Sequence, residues 1–334
     1  MKAIALLSGG LDSTLAAKIM IDQGIELEAI NFVTVFCTCT ERGETCLASQ
    51  KAVSALGIPL KVFNVSEEYL SVVKSPKHGY GSNMNPCIDC RIFMLKKAKV
   101  YMEEVDASFL VTGEVLGQRP MSQRRDAMRL IEKEAGLEGY ILRPLSAKFL
   151  PVTIPEKEGW VNRERLLAIQ GRSRKPQIEL ADHYGIRDYP CPAGGCLLTD
   201  PGFSKRLKDL MLHAPDFSLN DVHLLKMGRH FRLSPGLKLI VGRNEEDNRK
   251  IQTFAQKGDI LLKVLHHPGP LSLLRGMADG TEMERAASIT VRYSKAKDLK
   301  SVEVLCRRVK EDSDRSITVS PIADEKIRDW MIGE

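Results

Sequence analysis

The chain lacks several things, and each absence excludes a class. No apolar run approaches ~18 residues, so nothing in the sequence reads as a membrane span. The first apolar stretch, residues 3–7, is too short for a signal h-region and runs straight into Gly9-Gly10. No export signal is read, and a cytoplasmic protein without membrane contact is expected. There is no internal repeat and no low-complexity segment. Neither sign of charge dominates: the net charge is +6 and the pI about 8.8, a basic bias that suits an RNA partner without identifying one. Histidines are few, seven in 334 residues, and scattered. His266 and His267 are adjacent, and neighbours on a strand face opposite ways, so no catalytic or metal-binding histidine pair is assigned. What remains is 43% hydrophobic and long enough for two or three globular domains.

The most informative segment follows the first apolar stretch. Ser8-Gly9-Gly10-Leu11-Asp12-Ser13 leads into a helical run, Thr14 to Met20. A buried strand, a glycine turn and a helix N-terminus aim several backbone N–H groups at one point, which is an anion site. Gly9 and Gly10 let the backbone approach the anion. Ser8 and Ser13 add hydroxyl donors, and Asp12 is placed to orient a magnesium ion. The segment has neither the lysine and spacing of a Walker A loop nor the third glycine of a dinucleotide fingerprint. It resembles instead the S-G-G-x-D-S loop of the PP-loop ATP pyrophosphatases. That resemblance implies cleavage of ATP between its α and β phosphates and adenylation of a substrate.

Residues 1–150 alternate strand and helix. Strands are expected at 4–7, 27–35, 60–65 and 109–112, and helices include 46–56 and 91–104. Such alternation implies an α/β, doubly wound parallel sheet with ligands at the strand carboxyl ends, where Ser8, Thr112 and Gly113 fall. A helical middle region follows at 151–226, with Asn162 as the cap of a helix over 163–170, further helices at 176–184, 204–212 and 219–227, and an irregular loop from Tyr189 to Cys196. From 227 to 334 the pattern becomes β-rich, with strands near 237–241, 259–265, 271–274, 302–306 and 317–319. Helices at 245–254 and 281–293 complete a separate α+β domain.

Eight cysteines without an export signal argue against a disulfide framework. Cys87 and Cys90, three apart at the start of a helix, can share a metal centre, and the helix dipole and Arg91 favour their thiolates. A zinc finger would need a second such pair at matched spacing. The chain offers Cys191 and Cys196 about a hundred residues on. Cys87, Cys90 and one of these would carry a 4Fe–4S cluster with one iron left open; a structural zinc site or buried thiols are the alternatives. Cys37, Cys39 and Cys46 are a candidate zinc site, with Cys191 or His78 as fourth ligand, against the alternatives of sulfur relay or plain buried thiols. Cys306 lies in an apolar strand pattern and reads as core.

Taken together, the loop, Asn85-Pro86-Cys87-Ile88-Asp89-Cys90, Thr112-Gly113 and the distal cysteine loop resemble the bacterial tRNA 2-thiouridylases. The resemblance covers roughly residues 1–212. It implies an essential cysteine at Cys90 and a second at Cys196, favoured over Cys191 by the Leu197-Leu198 pair and by Phe203 and Leu207. Arg143-Pro144-Leu145 fits the segment that follows in that family. Two departures stand out: Glu114 where the family has histidine, and Cys87 where many members have aspartate. Cysteine at 87 resembles the iron–sulfur-dependent tRNA thiolases. The C-terminal part is similar to NFACT-R domains, which are associated with RNA binding. That likeness is carried by 239–243, Asn248, Gly258-Asp259-Ile260, 267–270, Ala286-Ala287 and 293–296. Arg243, Arg249, Lys250, Arg292, Lys295 and Lys297 supply basic groups of the expected kind; a solvated face is their plain alternative.

The resemblance implies an ATP-dependent tRNA sulfurtransferase. Magnesium and the loop would hold ATP, a uridine oxygen would attack the α phosphate, and sulfur would then displace AMP. Sulfur arrives either at the open iron or as a persulfide on Cys90 or Cys196, from a donor protein or inorganic sulfide. Lys148, Arg119, Arg124 and Arg125 are candidate tRNA or phosphate contacts, unless the arginines simply pair with Asp126. The rival readings are a PP-loop ligase or amidotransferase, which needs no distal cysteines, and a non-catalytic RNA-binding protein.

Overall fold

The computed structural model describes residues 1–38, 44–187, 189, 196–311 and 314–333, with the side chains of 44–47 left aside. The chain divides into two compact units, Met1–Leu197 and Leu198–Glu334.

The first unit runs β1 (Lys2–Leu6), α1 (Leu11–Ile21), β2 (Glu26–Val33), α2 (Glu44–Leu56), β3 (Leu60–Asn64), α3 (Ser66–Lys74), α4 (Cys87–Glu104), β4 (Phe109–Thr112), α5 (Arg125–Ala135), β5 (Ile141–Leu142), α6 (Ile154–Lys157) and α7 (Lys175–His183). Its five strands are all parallel, in the order β3-β2-β1-β4-β5. The expected doubly wound sheet is therefore present, and its direction of winding reverses at β1 and β4, the switch point where such sheets bind ligands. Alternation along β1 builds a core on each face. Ala3, Ala5 and Leu7 pack with α1 and with Ala181 of α7, whereas Ile4 packs with Ile92, Leu95 and Ala98 of α4 and Ile131 of α5.

Two helix expectations need correction here. The helix expected over 163–170 is one 3-10 turn, Arg163–Arg165, with Asn162 capping it by accepting from the Glu164 N–H. Beyond it the chain is extended, because the Leu167 and Ile169 N–H groups bond the Pro144 and Leu145 carbonyls. Tertiary pairing overrides the local helix signal. Helix α4 starts at Cys87, not Arg91, so both thiols sit in its first turn.

The second unit runs α8 (Pro201–His213), α9 (Leu219–Leu225), β6 (Arg229–Ser234), β7 (Leu237–Val241), α10 (Glu245–Phe254), β8 (Ile260–Val264), β9 (Leu271–Arg275), α11 (Gly280–Arg292), β10 (Val302–Arg308), β11 (Asp314–Val319), α12 (Asp324–Ile327) and β12 (Met331–Ile332). Its seven strands pair antiparallel, in the order β11-β10-β8-β9-β7-β6-β12. Leu239 and Leu274 face α11, while their neighbours Ile240 and Leu273 face Ile251 of α10 and Leu224 of α9. Covering both faces explains the near-continuous apolar runs. Cys306 is buried in β10, as expected. No helix among the described residues is long and apolar enough to cross a membrane.

Buried charges in this unit are paired, and the network around Asp209 is an example. Asp209 accepts from Arg232 at 2.7 Å and from Lys238 at 3.2 Å. Burial brings the Lys238 pKa down to about 8, partly opposed by Asp209. Above that value the folded chain releases a proton that the unfolded chain keeps up to 10.5. Stability of the wild type relative to Lys238→Met should therefore rise between these two pH values. Urea unfolding of the full chain across that range checks this; parallel curves would contradict it.

Candidate functional site

The glycine loop joins β1 to α1 as read. Gly9 has φ +78°, and a Cβ there would stand 2.5 Å from the Ala48 carbonyl carbon, so α2 packs directly on the loop and only glycine fits. Gly10 is the N-cap of α1 and brings no capping side chain to its first-turn N–H groups. Ser13 Oγ donates to the Gly10 carbonyl at 2.9 Å, and the Ser8 and Ser13 hydroxyls face each other at 3.4 Å. An anion at this helix start meets N–H groups, hydroxyls and the positive end of α1.

The loop after β4 is locked onto this turn. A Cβ on Gly113 would come within 2.5 Å of Asp12 C and Ser13 Cα. Gln118 donates its amide to Asp12 Oδ2 at 3.0 Å. Asp12 Oδ1 and Gln118 Oε1 are then buried with no hydrogen-bond partner. Two orphaned oxygens beside an anion cradle are what a magnesium ion escorting phosphates would satisfy.

Beneath lies a knot that the sequence reading noticed only as a departure. Glu114 is 3% exposed. It accepts from Arg143 Nε at 2.9 Å and pairs with Arg91 Nε at 3.2 Å, and Thr112 Oγ1 donates to it at 3.3 Å. Arg143 also pairs with Glu132. Burial pushes the Glu114 carboxyl up, but Arg91 and Arg143 outweigh it and hold the group below its ordinary range.

Arg91 belongs to the first turn of α4, where the thiols are. The buried Tyr69 hydroxyl bonds the Cys90 sulfur and feels the charges of Cys90, Cys196 and Cys87, and Cys37 acts in turn on Cys90. Cys37 and Cys196 oppose each other in an isolated antiparallel bridge, supported by the Leu197 N–H bond to the Phe36 carbonyl at 2.8 Å. The expectation of low thiol pKa values is not met. Burial, then the neighbouring Cys90 sulfur, pushes Cys87 up against Arg119 and Arg91. Burial pushes Cys90 up against Tyr69 and Arg91. Among the described residues no three His, Cys, Asp or Glu side chains are placed to hold one metal ion. A cluster sets a different condition, since each of its irons takes one thiolate and the sulfurs stand further apart than the ligands of a single ion. The thiol set, with the Tyr69 hydroxyl as a donor to sulfur, suits such a group.

The candidate zinc site is only partly in view. Cys39, Cys191 and the Cys46 side chain lie outside the described residues. His78 does not serve as a ligand here: Nδ1 meets Asp89 at 3.0 Å and Nε2 meets Glu134 at 3.2 Å, so both ring nitrogens are taken. Of the basic candidates, Arg124 pairs with Asp126 at 3.2 Å, and Lys148 donates to the Glu164 carbonyl at 3.0 Å. Arg243, Lys250 and Arg292 pair with Asp247, Glu246 and Asp324. Arg249, Lys295 and Lys297 are exposed.

A glycine turn at the switch point of a parallel sheet, with thiols one loop away, makes this an α/β unit with an anion site beside a thiol site. Residues 1–148 match the family model of the thiamine biosynthesis protein ThiI, and residues 228–331 match that of the NFACT protein RNA-binding domain. The resemblances read from the sequence are thus borne out, each over its own part. The chain is similar to a probable tRNA sulfurtransferase of Lysinibacillus sphaericus, 28% identical over 193 residues, or 55% of this chain and 46% of that protein. A tRNA-specific 2-thiouridylase MnmA of Marinobacter nauticus is 25% identical over 308 residues, or 84% of this chain and 73% of that one. Among solved structures, the U34-tRNA thiolase NcsA from Methanococcus maripaludis with its 4Fe–4S cluster aligns at 16% identity and TM-score 0.31, covering 67% and 69%. The chain spans less than half the length of the first tRNA sulfurtransferases it matches, 46% and 37%.

Two substitutions test the site. Gly113→Ala should push the loop off its place and weaken ATP binding about a hundredfold, read by calorimetry, because positioning tolerates little displacement. Arg143→Ala should cost about 3 kcal/mol in urea unfolding, because it takes from the buried Glu114 one of its two guanidinium partners and leaves Arg91 alone to balance it.

Proposed function

We propose that this protein is an ATP-dependent tRNA sulfurtransferase. The supporting observation is the single loop 113–119. Gly113 and Gln118 fasten it to the phosphate turn, while Glu114 and Arg119 act on the start of the thiol helix. A ligase or amidotransferase that adenylates small acids has no use for that second attachment. The likeness to the ThiI family over 1–148 and to an RNA-binding domain over 228–331 supports the same reading.

In this reading the first turn of α1, Ser8 and Ser13 hold the β and γ phosphates of ATP, and Asp12 and Gln118 offer oxygens to magnesium. The uridine oxygen attacks the α phosphate and pyrophosphate leaves, so the base carries a good leaving group in place of a carbonyl oxygen. Most of that acceleration comes from positioning and charge stabilisation. Cys87, Cys90 and Cys196 would hold a 4Fe–4S cluster, whose fourth iron supplies a position for incoming sulfur. Glu114 keeps Arg91 aimed at the thiol site, and Tyr69 donates toward its sulfurs. Sulfur then attacks the activated carbon and AMP leaves. The sulfur donor is a partner protein or inorganic sulfide. Residues 228–331 contribute RNA binding, with Arg249, Lys295 and Lys297 as the basic groups best exposed for phosphate.

Nucleoside mass spectrometry of tRNA from cells lacking the gene should show one thiolated uridine missing. An unchanged nucleoside profile would refute the proposal. In the purified protein, Cys90→Ser should abolish thiolation while leaving ATP affinity within about twofold, since a neutral swap distant from the phosphates lies in the range of surface effects. Equal loss of both would favour a structural role for Cys90.

A further inference from the structure

The sequence pattern groups Cys37 with Cys39 and Cys46, and in the fold Cys37 also meets the other set. Its segment, the turn after β2, lies opposite Cys196 in an antiparallel bridge. Residues opposed in this way have Cα atoms about 4.5–5.5 Å apart. The Cys37 charge acts on Cys90. The Cys37 sulfur is also cradled: it accepts the Thr34 backbone N–H at 3.3 Å and stands 3.4 Å from the Thr34 hydroxyl. The buried Tyr69 hydroxyl bonds the Cys90 sulfur and feels the charges of Cys196 and Cys87 as well.

We propose that Cys37 is the fourth thiol of the cluster site, capping the iron that Cys87, Cys90 and Cys196 leave open and giving way to an incoming ligand. This rests on the cluster part of the proposed function. A 4Fe–4S cluster accepts four thiolates, and Cys37 meets the set through its bridge to Cys196 and its charge on Cys90. The four thiols stand on different supports: Cys87 and Cys90 ride on the first turn of a long helix, and Cys196 precedes a 3-10 turn at 197–199. Cys37 sits in a four-residue turn closed by its own N–H to the Thr34 carbonyl at 3.0 Å. When its sulfur is off the iron, the two Thr34 donors give it a polar resting place. That lowers the cost of release, because the displaced sulfur does not go unsatisfied into the interior. The arrangement protects an otherwise open iron until sulfur arrives.

The test uses the full chain, reconstituted anaerobically with iron and sulfide, and cyanide as the probe ligand. Iron content and the electron paramagnetic resonance of the reduced cluster are followed during cyanide titration. Cys37→Ser should keep its cluster and bind cyanide at least about tenfold more tightly than the wild type, as expected where a competing ligand fills the site nine-tenths of the time. Thr34→Val, which removes one donor to the released sulfur, should shift cyanide binding the other way. Equal cyanide affinity in wild type and Cys37→Ser, with iron retained in both, would overturn the assignment of Cys37. Absence of iron from every preparation would instead refute the cluster reading on which it rests.

Discussion

The buried carboxylate of Glu114 is the constraint on which the rest of the first unit depends. A charge 3% exposed survives only with partners, and its partners come from three different places in the chain. Arg91 comes from the thiol helix, Arg143 from the segment after β5, and Thr112 from β4 itself. Because Glu114 follows Gly113, any motion of this knot is transmitted to the phosphate turn against which Gly113 packs. The glycine turn and the thiol helix are thereby held in one frame.

Some buried polar atoms without partners lie in that frame: Asp12 Oδ1 in the glycine turn, and Gln118 Oε1 and Gln123 Oε1 in the segment after β4. Folded chains rarely leave such groups unmet, and where they do a ligand is a common reason. The second unit shows a different economy. Its Asp209 gathers Arg232 and Lys238, so that its buried charges answer one another.

The elements with strong local signals were legible in the sequence. The glycine turn, strands β4 and β7 and helix α10 all follow from apolar period and glycine placement, and the structure has them at those positions. Where local and tertiary preferences conflict, the local reading fails. Residues 166–169 carry a helical pattern yet lie extended beside 144–145, and the polar-looking strand Arg229–Ser234 is recruited by its neighbours β7 and β12. Asn162 was legible as a cap because capping is local; the length of the helix behind it was not.

By itself the sequence determined which groups are available: a glycine turn that admits an anion, thiols in a helix start, a basic C-terminal part. Those depend on spacing over a few residues, where chain connectivity fixes geometry. Only the tertiary structure decided which distant groups meet. Glu114 and Arg143 are 29 residues apart, Asp12 and Gln118 are 106 apart, and Cys37 faces Cys196 across most of the unit. No local rule joins such pairs. The order of strands in the sheet does, since it carries the ends of β1, β2 and β4 to one edge and lets burial choose the partners.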